Sequence, residues 1–261
     1  MPKVLCIANQ KGGVGKTTTA INLSSSLAAL EKRTLLVDCD PQANATSGLG
    51  IDKAALSRTL YDGLLGRAAA QDLLQESELP FLRVLPANVD LIGFEVEMMG
   101  EEGAETALRR LLEPLRGSFD HILLDCPPSL SLLTVNALTA ADALLIPLQC
   151  EYYALEGLGQ LLETVQRVRR SLNPGLAVAG ILLTMFDRRT NLSHQVAAEA
   201  ENHFPDLVFR TRVPRNIRLS EAPSFGKPIL LYDASSAGAQ SYVELARELL
   251  DPARERLAAA R

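Results

Sequence analysis

The sequence predicts an α/β fold, a mostly parallel twisted β-sheet flanked by helices on both faces. Three observations carry this. Short runs rich in Val, Ile and Leu alternate with stretches of helical periodicity. A glycine-rich turn separates the first such run from the first helical stretch, and two later runs end on aspartate.

In chain order, residues 3–9 read as the first strand and residues 17–30, beyond the glycine turn, as the first helix. Residues 34–38 read as the second strand, followed by strands at 81–86, 121–125, 143–147, 178–184 and 208–213. Between residues 101 and 116 the acids come first and the bases last, the order a helix dipole favours. Within residues 153–170, Leu155, Leu158, Leu161, Leu162, Val165 and Val168 recur at three- and four-residue spacing, giving a helix one apolar face. There is no internal repeat and only one phosphate-loop candidate, which excludes duplicated nucleotide-binding halves. The 261 residues are expected to form one domain, 1–261.

Composition narrows the function classes. With 47% hydrophobic and 22% charged residues the chain is globular rather than disordered. Twenty-six bases against 31 acids, a net charge of −5, exclude a protein that coats nucleic acid by bulk charge and leave room only for a local basic patch. Cys6, Cys39, Cys126 and Cys150 form no C-x-x-C pair and sit mostly in apolar runs, as buried thiols of a reducing cytosol do. The apolar stretch at residues 4–8 is too short for a signal-peptide core, and the longest one, residues 176–185, is about half a bilayer span. A soluble, cytoplasmic protein is expected. His121, His194 and His203 have no metal-ligand spacing and receive no catalytic role, and Tyr152 and Tyr153 read as packing residues.

The most informative segment is Lys11-Gly12-Gly13-Val14-Gly15-Lys16-Thr17-Thr18, between a strand and a helix. Glycines let backbone N–H groups turn toward a phosphate, and the helix N-terminus adds positive potential. Lys16 can then reach the β and γ phosphates while the Thr17 hydroxyl holds Mg²⁺. Gln10 stands where the usual pattern has a glycine, and Lys11 is an addition to it. Asp125 ends the apolar run Ile122-Leu123-Leu124, which places its carboxylate at the carboxyl edge of the sheet to hold Mg²⁺, and Asp38 and Asp40 follow another such run. No Asn-Lys-x-Asp guanine-reading motif is present.

Lys11 to Thr18 resembles the deviant Walker A motif of the ParA/Soj and MinD group of P-loop ATPases, with Lys11 as the signature lysine. Asn9-Gln10, the run from Thr19 to Leu23 and the run from Val37 to Thr46 resemble the chromosomal ParA (Soj) branch. So do Asp125 to Ser129, Glu151 to Gly157, Pro214-Arg215-Asn216 and Glu221 to Gly226. The resemblance implies a slow ATPase using ATP and Mg²⁺, and a homodimer with nucleotide sandwiched between subunits, Lys11 acting on the partner's ATP. It implies that Asp40 positions the attacking water, that Asp38 supports the metal and its water shell, and that Met185, Pro214 and Asn216 lie near adenine.

A basic stretch stands out in this acidic chain. Residues 207–220 carry Arg210, Arg212, Arg215 and Arg218 with no acid, and Arg188-Arg189 and Arg167, Arg169 and Arg170 form further clusters. Arginine suits phosphate contacts through its planar fork. By the resemblance these residues bind double-stranded DNA nonspecifically, Arg189, Arg215 and Arg218 first and Arg210 and Arg212 after them, since strand alternation turns one of the latter inward. The further partners implied are a ParB-type centromere-binding protein, whose basic N-terminal segment stimulates hydrolysis, and a replication initiator, which places the chain on the nucleoid in chromosome or plasmid partition.

The alternative, a MinD-like membrane-associated ATPase, needs a C-terminal amphipathic helix. Pro252 interrupts the terminal segment, and residues 253–261 offer one large apolar side chain, Leu257, so no membrane anchoring is expected. A nitrogenase-reductase-like carrier would need paired cysteines in other contexts. A small-molecule kinase or synthetase on the same fold stays open, and the absence of an N-terminal extension speaks against autorepression.

Overall fold

The computed structural model describes residues 4–152 and 154–252. Seven strands form one sheet: β1 (Val4–Ile7), β2 (Thr34–Asp38), β3 (Gln75–Glu76), β4 (Leu82–Leu85), β5 (His121–Asp125), β6 (Ala143–Gln149) and β7 (Ala177–Thr184). Their order is β3-β4-β2-β5-β1-β6-β7, and every pair is parallel except the short β3 on β4. Helices α1 (Lys16–Ala29), α2 (Asn44–Gly48), α3 (Leu60–Leu64), α4 (Leu91–Glu97), α5 (Ala107–Leu112) and α6 (Leu132–Ala140) come in the first half. Then follow α7 (Ala154–Ser171), α8 (Asn191–His203), α9 (Ile217–Glu221), α10 (Ile229–Tyr232) and α11 (Ala237–Leu249).

The strands are apolar throughout because both faces of the sheet are covered, as parallel sheets require. Side chains alternate between two cores: Val4 and Cys6 of β1 and Ile122 and Leu124 of β5 enter one, Leu5, Ile7 and Leu123 the other. The first core is closed by α3 to α8, with Leu60, Phe94, Leu111, Leu138 and Leu158 among its residues. The second is closed by α1 and α9 to α11, through Ile21, Leu27, Leu219, Ile229 and Tyr242. All four cysteines are free and buried, and Cys6 Sγ lies 3.4 Å from Cys126 Sγ. Among the described residues no helix is long and apolar enough to cross a membrane.

The structure departs from the sequence reading in four places. Residues 208–213 form no strand, only isolated bridges at Ile181–Val208 and Phe186–Pro214. The segment bulges away from β7: Phe209 N and Val213 N, four residues apart, donate to Ile181 O and Leu183 O, two apart, and between them the consecutive N–H groups of Arg210 and Thr211 both donate to the Glu248 carboxylate of α11. The 101–116 helix is broken into α5 between two 3₁₀ turns, with Gly103 at φ 77° before it and Pro114 after it. β3 is an additional edge strand of two polar residues, without a hydrophobic pattern to announce it. Tyr152 is 79% exposed rather than packed. In α7, Leu158, Leu161, Val165 and Val168 are buried as the spacing predicts. Tyr153, the side chain of Leu155 and residues 253–261 with Leu257 lie outside the described residues.

Candidate active site

The sheet order puts β1 between β5 and β6, so the loop leaving β1 opens at the point where chain connections diverge to either side. That loop is the glycine-rich segment. Gly13 (φ 74°) and Gly15 (φ 88°) hold left-handed backbone that a side chain would strain, and Gly15 is the N-cap of α1. Two side chains brace the loop: Asn9 Oδ1 accepts from Lys11 N at 3.0 Å, and Thr184 Oγ1 donates to the Val14 carbonyl at 2.8 Å.

The two lysines point to different places. Lys16 is buried, its Nζ donating to the Lys11 carbonyl at 3.0 Å inside the loop. Burial lowers its pKa, and Asp125 works against that shift. Lys11 reaches outward to an ion pair with Glu151, the two side chains being 42% and 33% exposed. A Cβ built on Gly12 meets nothing within 4 Å, so this side of the loop is open.

Asp38 and Asp125 end adjacent strands in register. Asp38 is saturated: Oδ2 accepts from Thr46 N (2.8 Å) and Thr46 Oγ1 (2.7 Å), and Oδ1 from Asp40 N (3.2 Å). Burial nevertheless pushes its carboxyl up to about 6. Both oxygens of Asp125 are buried without a hydrogen-bond partner of good geometry. Its carboxyl is pushed well above the usual range, first by burial and then by Asp38, with the Thr17 hydroxyl and Lys16 opposing. Asp40 is 8% exposed, and its Oδ1 accepts from Gln42 N at 2.9 Å.

These groups fit Mg²⁺. A buried orphan carboxylate is costly unless a cation or proton joins it, and Mg²⁺ takes hard oxygen donors. Among the described residues no three His, Cys, Asp or Glu side chains converge as a metal cage. This suits an ion held by one carboxylate, a hydroxyl, water and substrate phosphates.

Beside the loop lies a cavity of about 630 Å³. Gly15 and Thr18 line it together with Met185, Pro214 and Asn216, the three residues expected near a base. Met185 is held at φ 50°, a strained conformation of the kind that persists at ligand sites. Asn216 Oδ1 caps α9 by accepting from Arg218 N at 2.8 Å. Ile217, which is 72% exposed, and Tyr242 also line the cavity; the sequence reading missed both.

A second cavity of about 790 Å³ is lined by Arg188, Arg189, Arg210, Arg212 and Arg215. Arg215 lines both cavities. The stretch that is acid-free in sequence receives acids from elsewhere. Arg189 pairs with Asp187 (2.8 Å), Arg212 with Glu201 (2.7 Å), and Arg218 with Glu221 (2.9 Å). Arg210 lies 3.7 Å from Glu248. Arg212 is turned inward over the Phe186 ring, 4.8 Å from its centroid, while Arg210 is 81% exposed. Arg215 is exposed and forms no ion pair among the described residues, although its charge helps Arg189 to hold the Asp187 carboxyl below the usual range.

Glu151, Thr46 and Glu248 are further residues given no role from the sequence. Each acts on a residue far along the chain or buried behind it, so no local spacing marks it.

A glycine loop at a helix N-terminus, a buried lysine inside it and an orphan aspartate on the next strand define a P-loop ATPase with a second, outward lysine. A family model described as an AAA domain matches residues 2–178. The chain is 58% identical to the chromosome partitioning protein ParA of Myxococcus xanthus, over 95% of this chain and 88% of that protein. It is 54% identical to the sporulation initiation inhibitor protein Soj of Bacillus subtilis, over 95% and 98%. A solved structure of cobyrinic acid a,c-diamide synthase from Mycobacterium smegmatis, with bound ADP and magnesium, superposes with a TM-score of 0.85 at 38% identity, covering 100% of this chain and 97% of that one. The chain belongs to the ParA/Soj family of chromosome-partitioning ATPases. A second structure of that synthase carries an ATP analogue with magnesium, at a TM-score of 0.85 and 37% identity.

Proposed function

We propose that the chain, as one domain over residues 1–261, is an ATP-gated DNA clamp. ATP joins two subunits face to face, the dimer binds double-stranded DNA nonspecifically, and hydrolysis releases it. The observation that carries this reading is the division of labour between the two lysines: Lys16 turns into its own loop, whereas Lys11 lies on the open side beside Gly12. A lysine placed there can leave Glu151 and reach a phosphate on a second subunit at little cost, since exposed ion pairs contribute about 0–1 kcal/mol.

Phosphoryl transfer asks for positioning and charge neutralisation. Thr17 and Asp125 would hold Mg²⁺, which would supply neutralising charge to the nucleotide phosphates. Asp38, expected to support the metal and its water shell, has its oxygens taken by Thr46 and by Asp40 N, and its role is instead to fix the turn that presents Asp40 to the attacking water. Lys16 and Lys11 supply positive charge from the two subunits. Met185, Pro214, Asn216 and Ile217 hold the base.

Arg215 is exposed without an ion pair, Arg210 is 81% exposed with its nearest carboxylate oxygen 3.7 Å away, and Arg189 and Arg218 exchange their ion pairs with Asp187 and Glu221 for phosphate. A single subunit offers a weak patch; the dimer doubles it. A ParB-type protein stimulates hydrolysis, a replication initiator is a further partner, and the site of action is the nucleoid in the cytoplasm. Sedimentation of the purified chain tests the gate. A dimer with ATP and a monomer with ADP support it; the same assembly state with both nucleotides overturns it.

A further inference from the structure

The phosphate loop is held by two side-chain braces, one for each half. Thr184, at the end of β7, donates its hydroxyl to the Val14 carbonyl at 2.8 Å and steadies the rear half, next to Gly15 and the start of α1. The front half is held by Asn9. This side chain is 4% exposed and makes two bonds at once: Nδ2 donates to the Pro147 carbonyl of β6 at 2.8 Å, and Oδ1 accepts from Lys11 N at 3.0 Å.

The first bond explains the residue type. Ala8 N donates to Leu145 O at 3.3 Å, a rung of the parallel ladder between β1 and β6. In such a ladder the next rung falls two residues on along both strands, from residue 10 to residue 147. The Asn9 amide occupies that place, so the chain leaves the sheet without losing its tie to β6. The amide oxygen then takes the N–H two residues on, a local turn that asparagine forms readily. A carboxamide this short carries donor and acceptor on separate atoms, which is what the two bonds require.

Both bonds bear on Lys11. Beyond Pro147, β6 leads to Glu151, the carboxylate that pairs with Lys11, so Asn9 ties together the two segments that carry this pair. The Lys11 peptide is also held at its carbonyl, where Lys16 Nζ donates at 3.0 Å. A bound triphosphate competes for that ammonium. Asn9 then remains as the side-chain hold on the Lys11 peptide.

We propose that Asn9 is a positioning residue that aims Lys11 at the second subunit and so controls pairing, while Thr184 serves nucleotide affinity. The proposal rests on the sandwich reading above, in which Lys11 meets the nucleotide of the other subunit.

The test measures two constants on each full-length chain: ADP affinity by calorimetry, and the dimer dissociation constant by sedimentation in a non-hydrolysable ATP analogue. Asn9→Ala should bind ADP within about threefold of wild type and pair about tenfold or more weakly. Thr184→Val should do the opposite, losing about tenfold in ADP affinity while the nucleotide-saturated chain pairs as wild type does. Asn9→Ser, whose hydroxyl can still accept from Lys11 N in a turn of the same kind, should recover part of the pairing. The double variant Asn9→Ala/Lys11→Gln should pair no more weakly than Lys11→Gln alone, because nothing is left to position. An Asn9→Ala chain that loses ADP affinity, a serine variant no better than alanine, or losses that add in the double variant overturns the proposal and makes Asn9 a brace of the fold. Lys11→Gln separates the two readings. If it pairs as wild type does, the sandwich reading fails; if it pairs poorly while Asn9→Ala pairs normally, the positioning role alone fails.

Discussion

Asp38 and Asp125 are register partners on adjacent strands, yet Asp38 accepts three hydrogen bonds while both oxygens of Asp125 accept none of good geometry. One carboxylate organises a turn, and the other is held ready for a cation. The nucleotide-free fold carries the cost of that readiness.

Asp125→Asn should therefore stabilise the nucleotide-free chain while abolishing Mg²⁺-dependent hydrolysis. The sign follows from the raised carboxyl. A group that holds its proton more tightly when folded favours the fold fully below its unfolded pKa, about 3.9, and loses that advantage as pH rises through the folded value. Asp38, at about 6, behaves alike. Thermal melts of wild type and Asp125→Asn should coincide near pH 4 and separate by several degrees at pH 8, the variant higher. A variant that melts lower at pH 8 contradicts the orphan-carboxylate reading.

Gly12 and Lys16 should separate binding from pairing. Lys16→Ala removes the buried cation of the loop and should abolish ATP binding in calorimetry. Gly12→Val has space within its own subunit, where no atom lies within 4 Å of a Cβ, so it should keep ATP and fail to dimerise because the added bulk meets the second subunit. A Gly12→Val dimer would move the sandwich elsewhere.

Asp40→Ala should bind ATP, dimerise and remain on DNA, with turnover reduced about 100-fold or more. Filter binding after an ADP chase reads this out; rapid release of DNA assigns hydrolysis to another group.

Among single arginine variants, Arg215→Ala should weaken DNA binding more than Arg189→Ala. Arg189 is already committed to Asp187 by two bonds of 3.0 and 2.8 Å, whereas Arg215 acts on the same carboxylate only at longer range and forms no ion pair. Loss of one phosphate contact should lower the magnitude of the log–log salt slope by about 0.9 per subunit. Equal affinity for wild type and Arg215→Ala removes that residue from the patch.

The parts of this molecule that a sequence displays are those whose cause is local. β2 and β5 read directly because strands covered on both faces must be apolar throughout, and the loop reads directly because only glycine accepts the backbone at Gly13 and Gly15. What was hidden is carried by distant partners. The 208–213 segment has the composition of a strand, but Glu248, 37 residues beyond Thr211, takes the consecutive N–H groups of Arg210 and Thr211 and breaks the alternation of a strand. Glu151 meets Lys11 from 140 residues away. The arginine run looked unopposed because Glu201, Asp233, Glu248 and Asp251 approach from other elements. Periodicity in α4 shows apolar residues on two sides, and only the packed structure reveals that Phe94 faces inward and Val96 outward.

The central claim is that nucleotide joins two weak cationic surfaces into one adequate surface. A salt titration of duplex DNA affinity tests it most directly. With about four phosphates neutralised per subunit, the log–log slope should be near −7 in ATP and near −3.6 in ADP, with strong binding at cellular salt only in ATP. Equal slopes and equal affinities in the two nucleotides would contradict the account.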